Sequence, residues 1–323
     1  MIEFLGLDNI RSGLLRNPVV TLGTFDGVHL GHRKVIEETI KWARETDGQS
    51  VLITFDRHPR AVLRHEPTQF ITSLEHRLEL FRELGIDCAI VLRFHTALAD
   101  MPAERFAREV LSGAIGARRV VLGYDHRFGR GGAGNIETLR NLTAEDGSPL
   151  FETRKVPAVF IDGERVSSTK VRKAVEAGDM QRAAKFLGRP YSVMGTVIHG
   201  DSRGHEIGYP TANLNLHHEI SPPSGVYHTR VLFKTGKHSG RRFESATYIG
   251  TRPTFLAVTD EAPLRVEVHI LDRFDNNVYG ERMEVMFIKR LRDEEKFSTP
   301  GALAEAIKND IARLKGKVGS DPI

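Results

Sequence analysis

Near Ala183–Pro190 the chain changes the period of its hydrophobic pattern, and that change limits what it can fold into. Before it, apolar or β-branched runs at Val19–Leu22, Val51–Phe55, Ala89–Phe94, Arg119–Leu122 and Phe151–Val156 alternate with helically spaced stretches. Repeated strand–helix units of this kind build a parallel sheet with helices on both faces. After it, short strands follow one another at Val193–Ile198, Val226–Phe233, Ser245–Ile249, Arg265–Leu271 and Arg282–Ile288. Turns at Pro222-Pro223-Ser224-Gly225 and Asp275-Asn276-Asn277 separate some of them, and such a run closes into a small antiparallel barrel. The predicted fold class is α/β: a doubly wound parallel sheet in residues 1–187, then a small antiparallel β-barrel in residues 188–323 covered by a C-terminal helix, Ala302–Leu314. With 323 residues, each half can bury its own core.

Helix boundaries in the first half follow from punctuation. Thr72 and Glu75 read as a capping box, Leu74, Leu78, Phe81 and Leu84 as the buried stripe, and Gly85 as the stop. A second helix is expected from Pro102 and a third over Ile136–Glu145.

Parallel sheets bind ligands beyond the carboxyl ends of their strands. At the first such end stands Leu22-Gly23-Thr24-Phe25-Asp26-Gly27-Val28-His29-Leu30-Gly31-His32, a strand, a glycine turn and a helix N-terminus. The free N–H groups and dipole of such a helix favour an anion. His29 and His32, three apart, share a face once the turn is helical, and neutral imidazoles can donate to a phosphate bridge. Gly23 and Gly27 are expected to clear space for phosphate beside Thr24 and Phe25. A turn with two surface histidines is the plainer alternative; the combination of strand end, glycines and paired imidazoles favours a site that activates a nucleoside triphosphate.

Thr54-Phe55-Asp56-Arg57-His58-Pro59 leaves the second strand, and proline ends it, so Arg57 and His58 are expected in the same crevice or in a plain polar loop. Gly123 to Gly134 contains a formal G-x-G-x-x-G at Gly129, Gly131 and Gly134. The dinucleotide reading fails, because that fingerprint needs its glycines directly after the strand, and here Tyr124 to Phe128 intervene. A mobile, cation-bearing loop that closes over substrate is expected instead. At Val166-Ser167-Ser168-Thr169-Lys170-Val171-Arg172, Ser168 or Thr169 is expected to cap a helix starting near Lys170. Hydroxyls, open N–H groups, Lys170 and Arg172 then form a second anion site suited to a leaving pyrophosphate.

The second half has its own dense stretch from Gly200 to Leu214. Gly200, Gly204 and Gly208 let backbone amides wrap a phosphate chain. Thr211 and Asn213, two apart in an extended segment, offer two oxygens on one side to a hard cation. Glu267 sits between Val266 and Val268; with the valines in the wall it is expected to face the lumen or mouth, where it could take a proton from an alcohol. A solvated strand glutamate is the commoner meaning of that pattern. G-x-x-x-x-G-K-[S/T] is absent, which excludes a P-loop kinase, and His217-His218 read as surface residues.

Composition narrows the classes further. The net charge is +4 and the pI about 9.2, but 46 basic residues lie among 42 acidic ones with no long basic run. An anionic small-molecule substrate explains the excess as well as nucleic acid does. Cys88 is the only cysteine, which excludes an internal disulfide and a multi-cysteine zinc site. No run reaches transmembrane length and Met1-Ile2-Glu3-Phe4 does not read as a leader, so a cytoplasmic location is expected.

Taken together, these motifs resemble the bifunctional bacterial riboflavin kinase/FAD synthetase (FMN adenylyltransferase) family over nearly the whole chain. Gly23 to His32 is similar to its nucleotidyltransferase signature, Ser167 to Arg172 to its second phosphate motif, and Pro210-Thr211-Ala212-Asn213 to its riboflavin kinase motif. Gly225-Val226-Tyr227, Ile249 to Phe255, Val266-Glu267 and Leu291 to Phe297 follow in family order. The resemblance implies phosphorylation of riboflavin to FMN by the C-terminal domain and adenylylation of FMN to FAD, releasing pyrophosphate, by the N-terminal one. It implies Glu267 as base, His29 and His32 steadying the triphosphate, and Ser168, Thr169 and Arg172 on the departing phosphates. Thr211 and Asn213 would hold Mg²⁺ entering with ATP, and Phe55, His58, Asp125 and Phe128 would line the flavin side. The implied partners are ATP, riboflavin, FMN and FAD rather than nucleic acid or a membrane, with a monomer or weak homo-oligomer expected. The competing reading is a nucleotidyltransferase for another phosphorylated alcohol with the barrel as a binding module. Three positions depart from the pattern: His126 stands for the usual phenylalanine, His205 for a frequent arginine and Tyr248 for a frequent asparagine.

Overall fold

The structure is a computed structural model that describes residues 1–10, 13–64, 68–199, 208–216, 219–251, 264–271 and 278–315. The chain divides into two compact units, Met1–Ser168 and Thr169–Ile323.

The first unit is built on β1 (Ile2–Leu5), β2 (Val19–Leu22), β3 (Ser50–Phe55), β4 (Cys88–Leu92), β5 (Arg119–Gly123) and β6 (Glu152–Val156). They pair in the order β1-β4-β3-β2-β5-β6, every pair parallel. From β2 the chain steps outward through β3 to β4, then returns to the other side for β5, which makes the gap between β2 and β5 the topological switch point. Alternate residues feed two cores: Val20, Val51, Ile53, Val120 and Leu122 pack with Phe106 and Leu111, while Val19, Leu52 and Val121 pack with Ile36, Trp42 and Phe81. Burial on both faces is why these strands read as continuous apolar runs. Strand β1 was not expected. It is a half-solvated edge, with Leu5 73% exposed, and four residues of mixed pattern carry no readable period.

Among the helices of this unit, α1 is Leu30–Glu45, α2 Pro59–Arg64 and α3 Leu74–Leu84. Ser73, not Thr72, caps α3 by accepting from the His76 N–H, and Gly85 stops it at φ 91° as expected. Thr72 is engaged elsewhere. The helix expected from Pro102 starts at Ala103 and widens into a π-helix over Phe106–Ala114. The helix expected to reach Glu145 ends at Arg140 instead. Beyond it the chain folds into a hairpin-like turn, with Leu150 N–H donating to Leu142 O and Ala144 N–H to Ser148 O around Asp146-Gly147. A short β7–β8 hairpin (Phe160–Ile161, Glu164–Arg165) completes the unit.

In the second unit β9 (Tyr191–Ile198), β10 (Ala212–Leu216), β11 (Gly225–Phe233), β12 (Arg242–Thr251), β13 (Leu264–Ile270) and β14 (Arg282–Asp293) close an antiparallel barrel in the order β10-β13-β12-β11-β14-β9. Its lumen is packed solid: Tyr227, Val231, Phe233, Val266 and Val268 are at most 1% exposed, and the Thr229 hydroxyl links those of Ser245 and Thr247. Two further helices, α4 (Ser168–Glu176) and α5 (Met180–Leu187), precede the barrel, and α6 (Pro300–Lys315) follows it. The turn at 275–277 and His217-His218 lie outside the described residues.

Candidate functional site

The turn after β2 lies at the switch point, at the same edge of the sheet as the carboxyl ends of β3 and β5. It is strained: Phe25, Gly27 and Val28 have φ of 50°, 82° and 42°, and a β-branched residue rarely enters that region. Long-range hydrogen bonds hold it. The Asp26 carboxylate accepts the Ile71 N–H at 2.7 Å and the Thr72 N–H at 3.3 Å, and the Thr72 hydroxyl accepts the Gly27 N–H at 3.0 Å. The Ser168 hydroxyl donates to Asp26 O at 2.9 Å. A Cβ at Gly27 would lie 3.1 Å from Ile71. Its absence admits Ile71 and the positive φ.

His29 is the N-cap of α1, and its Nδ1 accepts the His32 N–H at 3.3 Å. A neutral ring with Nδ1 as acceptor carries its proton on Nε2, a donor for phosphate oxygen. Gly31 makes this cap possible, since a Cβ there would lie 3.2 Å from the His29 ring. The His29 and His32 rings stack at 3.6 Å and 16°, with Phe25 edge-on to His32 at 5.3 Å. Burial, then His29, holds the His32 pKa well below its usual value, with His126 and Arg77 acting in the same direction. His32 Nδ1 is sealed without a hydrogen-bond partner. His32 is therefore neutral near pH 7.

His126, in the loop after β5, has its pKa pushed by burial down to about 4 against the opposing pull of Asp125, and its Nε2 is sealed and unpartnered. In the unfolded chain the ring titrates near 6.5, so between that pH and about 4 the unfolded state holds the extra proton. Stability contributed by the neutral ring is then lost as pH falls, on the order of 1–3 kcal/mol in all. Thermal melts from pH 7 to 4 are expected to fall more steeply for the native protein than for His126→Phe; parallel curves would show that the ring is not held neutral.

The other residues expected on the flavin side are placed as follows. Phe55 ends β3, half-buried and edge-on to Phe94 at 5.2 Å; His58 follows, 5.4 Å from the Phe70 ring. Asp125 is exposed and 3.8 Å from Arg165. Phe128 is a core residue, 7% exposed and packed on Phe106. The glycine loop expected to be mobile is instead tied down: Phe128 and Gly134 exchange both backbone hydrogen bonds, and Arg130 N–H donates to Met101 O. Gly129 and Gly134 are there for close approach, since a Cβ on either would come within 2.6 Å of Ala103. Sequence reading missed Arg77, fully buried on α3, which touches both the turn after β2 and the end of β3. A charged residue on the apolar stripe between Leu74 and Leu78 was the available signal.

The helix expected near Lys170 starts at Ser168. The Ser168 hydroxyl therefore does not cap it but ties Asp26, while exposed Thr169 and half-buried Arg172 follow within the next turn.

In the second unit a cavity of about 260 Å³ lies between the barrel wall and α6. The strand register puts Asn213 opposite Glu267, Glu267 opposite Tyr248, Tyr248 opposite Val226 and Val226 opposite Arg292. Residues opposite one another share a face, and Thr211, two before Asn213, shares it too. Thr211, Tyr248, Glu267 and Arg292 line the cavity, with Phe297, Leu303 and Ile307 as its lid. Glu267 thus faces outward rather than into the lumen: the lumen is filled by Val266 and Val268, and alternation sends the carboxylate to the other side. Its side chain is 17% exposed and contacts the Arg265 guanidinium. Burial and the Glu294 hydrogen bond raise the Tyr248 pKa. Asp310 on α6 accepts from Arg292 Nε at 2.9 Å, pinning the helix over the cavity. Of the glycines expected to wrap a phosphate chain, Gly208 is exposed with φ 81°, while Gly200 and Gly204, like His205, lie outside the described residues. Among the described residues no group of three or more His, Cys, Asp or Glu could hold a metal ion.

Paired imidazoles at the switch point of a parallel sheet define a nucleotidyltransferase-type domain, and a carboxylate-lined cavity on a closed barrel marks the second unit. Residues 12–170 match the family model of FAD synthetase, and residues 187–317 that of riboflavin kinase. Two proteins named bifunctional riboflavin kinase/FMN adenylyltransferase are similar over nearly their full length. The one from Listeria monocytogenes is 35% identical, covering 91% of this chain and 90% of the relative; that from Bacillus subtilis is 34% identical, covering 90% of each. A crystal structure from Streptococcus pneumoniae, described as a macrolide-efflux protein, superposes with a TM-score of 0.82 at 30% identity over 100% of both chains. Among the described residues of this chain no helix is long and apolar enough to cross a membrane. The chain belongs to the bifunctional riboflavin kinase/FMN adenylyltransferase family.

Proposed function

We propose that this chain converts riboflavin to FAD in two ATP-dependent steps, with residues 188–323 phosphorylating riboflavin and residues 1–187 adenylylating FMN. The observation that carries this reading is the coexistence in one chain of a stacked imidazole pair at a sheet switch point and an outward glutamate registered against Asn213.

In the kinase step, Glu267 takes the proton of the ribityl hydroxyl as that oxygen attacks the terminal phosphorus of ATP, and ADP leaves. The apolar lid of Phe297, Leu303 and Ile307 suits a flat isoalloxazine. Thr211 and Asn213 supply neutral oxygen donors on the face of a carboxylate, a set that fits Mg²⁺ entering with ATP and keeping its waters. That cation would neutralise charge on the transferred phosphate. Gly200, Gly204 and Gly208 are assigned to the ATP phosphates.

In the adenylyl step, a phosphate oxygen of FMN attacks the α-phosphorus of ATP, and pyrophosphate leaves. His29 donates from Nε2, and with His32 steadies the triphosphate against Gly23, Thr24 and Phe25. Ser168, Thr169 and Arg172 are assigned to the departing phosphates, and Phe55, His58, Asp125 and Phe128 to the flavin side. Nothing covalent is asked of the protein; positioning and charge neutralisation carry the chemistry. A cytoplasmic location fits substrates of this kind. Incubating the purified chain with riboflavin, ATP and Mg²⁺ and resolving the flavins by chromatography is expected to show FMN and then FAD. Absence of any flavin product refutes the reading.

A further inference from the structure

Arg77 is fully buried, yet its three hydrogen bonds all go to neutral oxygens. Nη1 donates to Thr24 O at 2.6 Å and to the Thr54 hydroxyl at 2.8 Å, and Nη2 donates to Phe55 O at 3.0 Å. The Thr54 hydroxyl closes the triangle by donating to Thr24 O at 3.2 Å. The guanidinium stacks 4.4 Å from the Phe70 ring, and its Nε is sealed without a partner. Burial lowers its pKa to about 10, with Asp26 and Asp56 opposing, so the group stays charged at neutral pH.

A buried cation is a costly way to fill space that methionine or leucine could fill. Its planar fork does what they cannot: it spans two segments and sets the distance between them. One segment is the strained turn, gripped at the carbonyl just before Phe25; the other is the carboxyl end of β3, gripped at Phe55. Resting on the assignment above of the turn to the triphosphate and of Phe55 to the flavin, we propose that Arg77 is a positioning residue for adenylyl transfer. Its fork fixes the spacing between the two substrates rather than the affinity for either.

The test uses the full chain with Arg77→Met, which fills the volume without the fork, and Arg77→Lys, which keeps charge and one donor point. Steady-state FAD formation from FMN and ATP is measured, with riboflavin phosphorylation by the same molecules as internal control and a thermal melt to give the folded fraction. Misalignment on the ångström scale costs about 100-fold in rate. Per folded molecule, kcat for FAD is expected to fall about 100-fold in Arg77→Met, with Arg77→Lys intermediate and FMN formation unchanged. Both KM values are expected to stay within about threefold of native. Unchanged kcat per folded molecule in Arg77→Lys overturns the proposal even if Arg77→Met does not fold. A rise in the KM for ATP alone with kcat intact overturns it as well, since that is an affinity effect. Failure of the native protein to make FAD strikes the assignment of the domain; native activity with unaffected variants strikes only this inference.

Discussion

Glu267→Ala is expected to lower the kcat of FMN formation about 1,000-fold, within the range for loss of a general base, while leaving conversion of added FMN to FAD unchanged. The carboxylate stands on the outer face of β13, in register between Asn213 and Tyr248, and lines the cavity that α6 covers. Because Val266 and Val268 rather than Glu267 fill the lumen, truncation removes no core packing. The loss should therefore appear in rate, with stability changed only through release of the Arg265 contact. Glu267→Gln keeps the shape without the basicity and is expected to lose as much. A variant that retains most of its kinase rate, or loses both activities in proportion, would remove Glu267 from its assigned role.

His29→Ala is expected to give the reverse pattern, lowering FAD formation by about 100- to 1,000-fold and sparing FMN formation. Here a structural effect has to be separated from a chemical one. His29 is 6% exposed and caps α1, so alanine also removes the acceptor of the His32 N–H, at a cost of about 1 kcal/mol. His29→Asn restores a capping oxygen but not the Nε2 donor. If the imidazole acts on the triphosphate, asparagine recovers the melting temperature and not the rate. Recovery of both by asparagine would reduce His29 to a helix cap.

Much of the molecule was legible because its signals are local. Period-2 and period-3.6 patterns reveal whether a segment is strand or helix within a few residues, which is why five of the parallel strands and the barrel strands other than β10 fall where their apolar runs lie. The His29-x-Gly31-His32 spacing is likewise a local matter: the ring caps its own helix, and the glycine two residues on makes room for it. The errors share another origin. Thr72 and Ser73 both suit an N-cap, and the choice fell to Ser73 because the Thr72 hydroxyl is taken by Gly27, 45 residues away in sequence. A glycine-rich loop with exposed cations resembles a flap until Ala103 is found packed against Gly129 and Gly134.

By itself the sequence determined the two architectures and the order of the motifs, since each depends on neighbours only a few positions apart. Tertiary structure alone decided that Glu267 faces outward and that Ser168 braces Asp26 instead of capping its helix. It alone placed a buried guanidinium between the turn and β3. Those outcomes depend on which distant groups compete for the same space and the same hydrogen bonds, and that competition exists only once the chain has closed on itself.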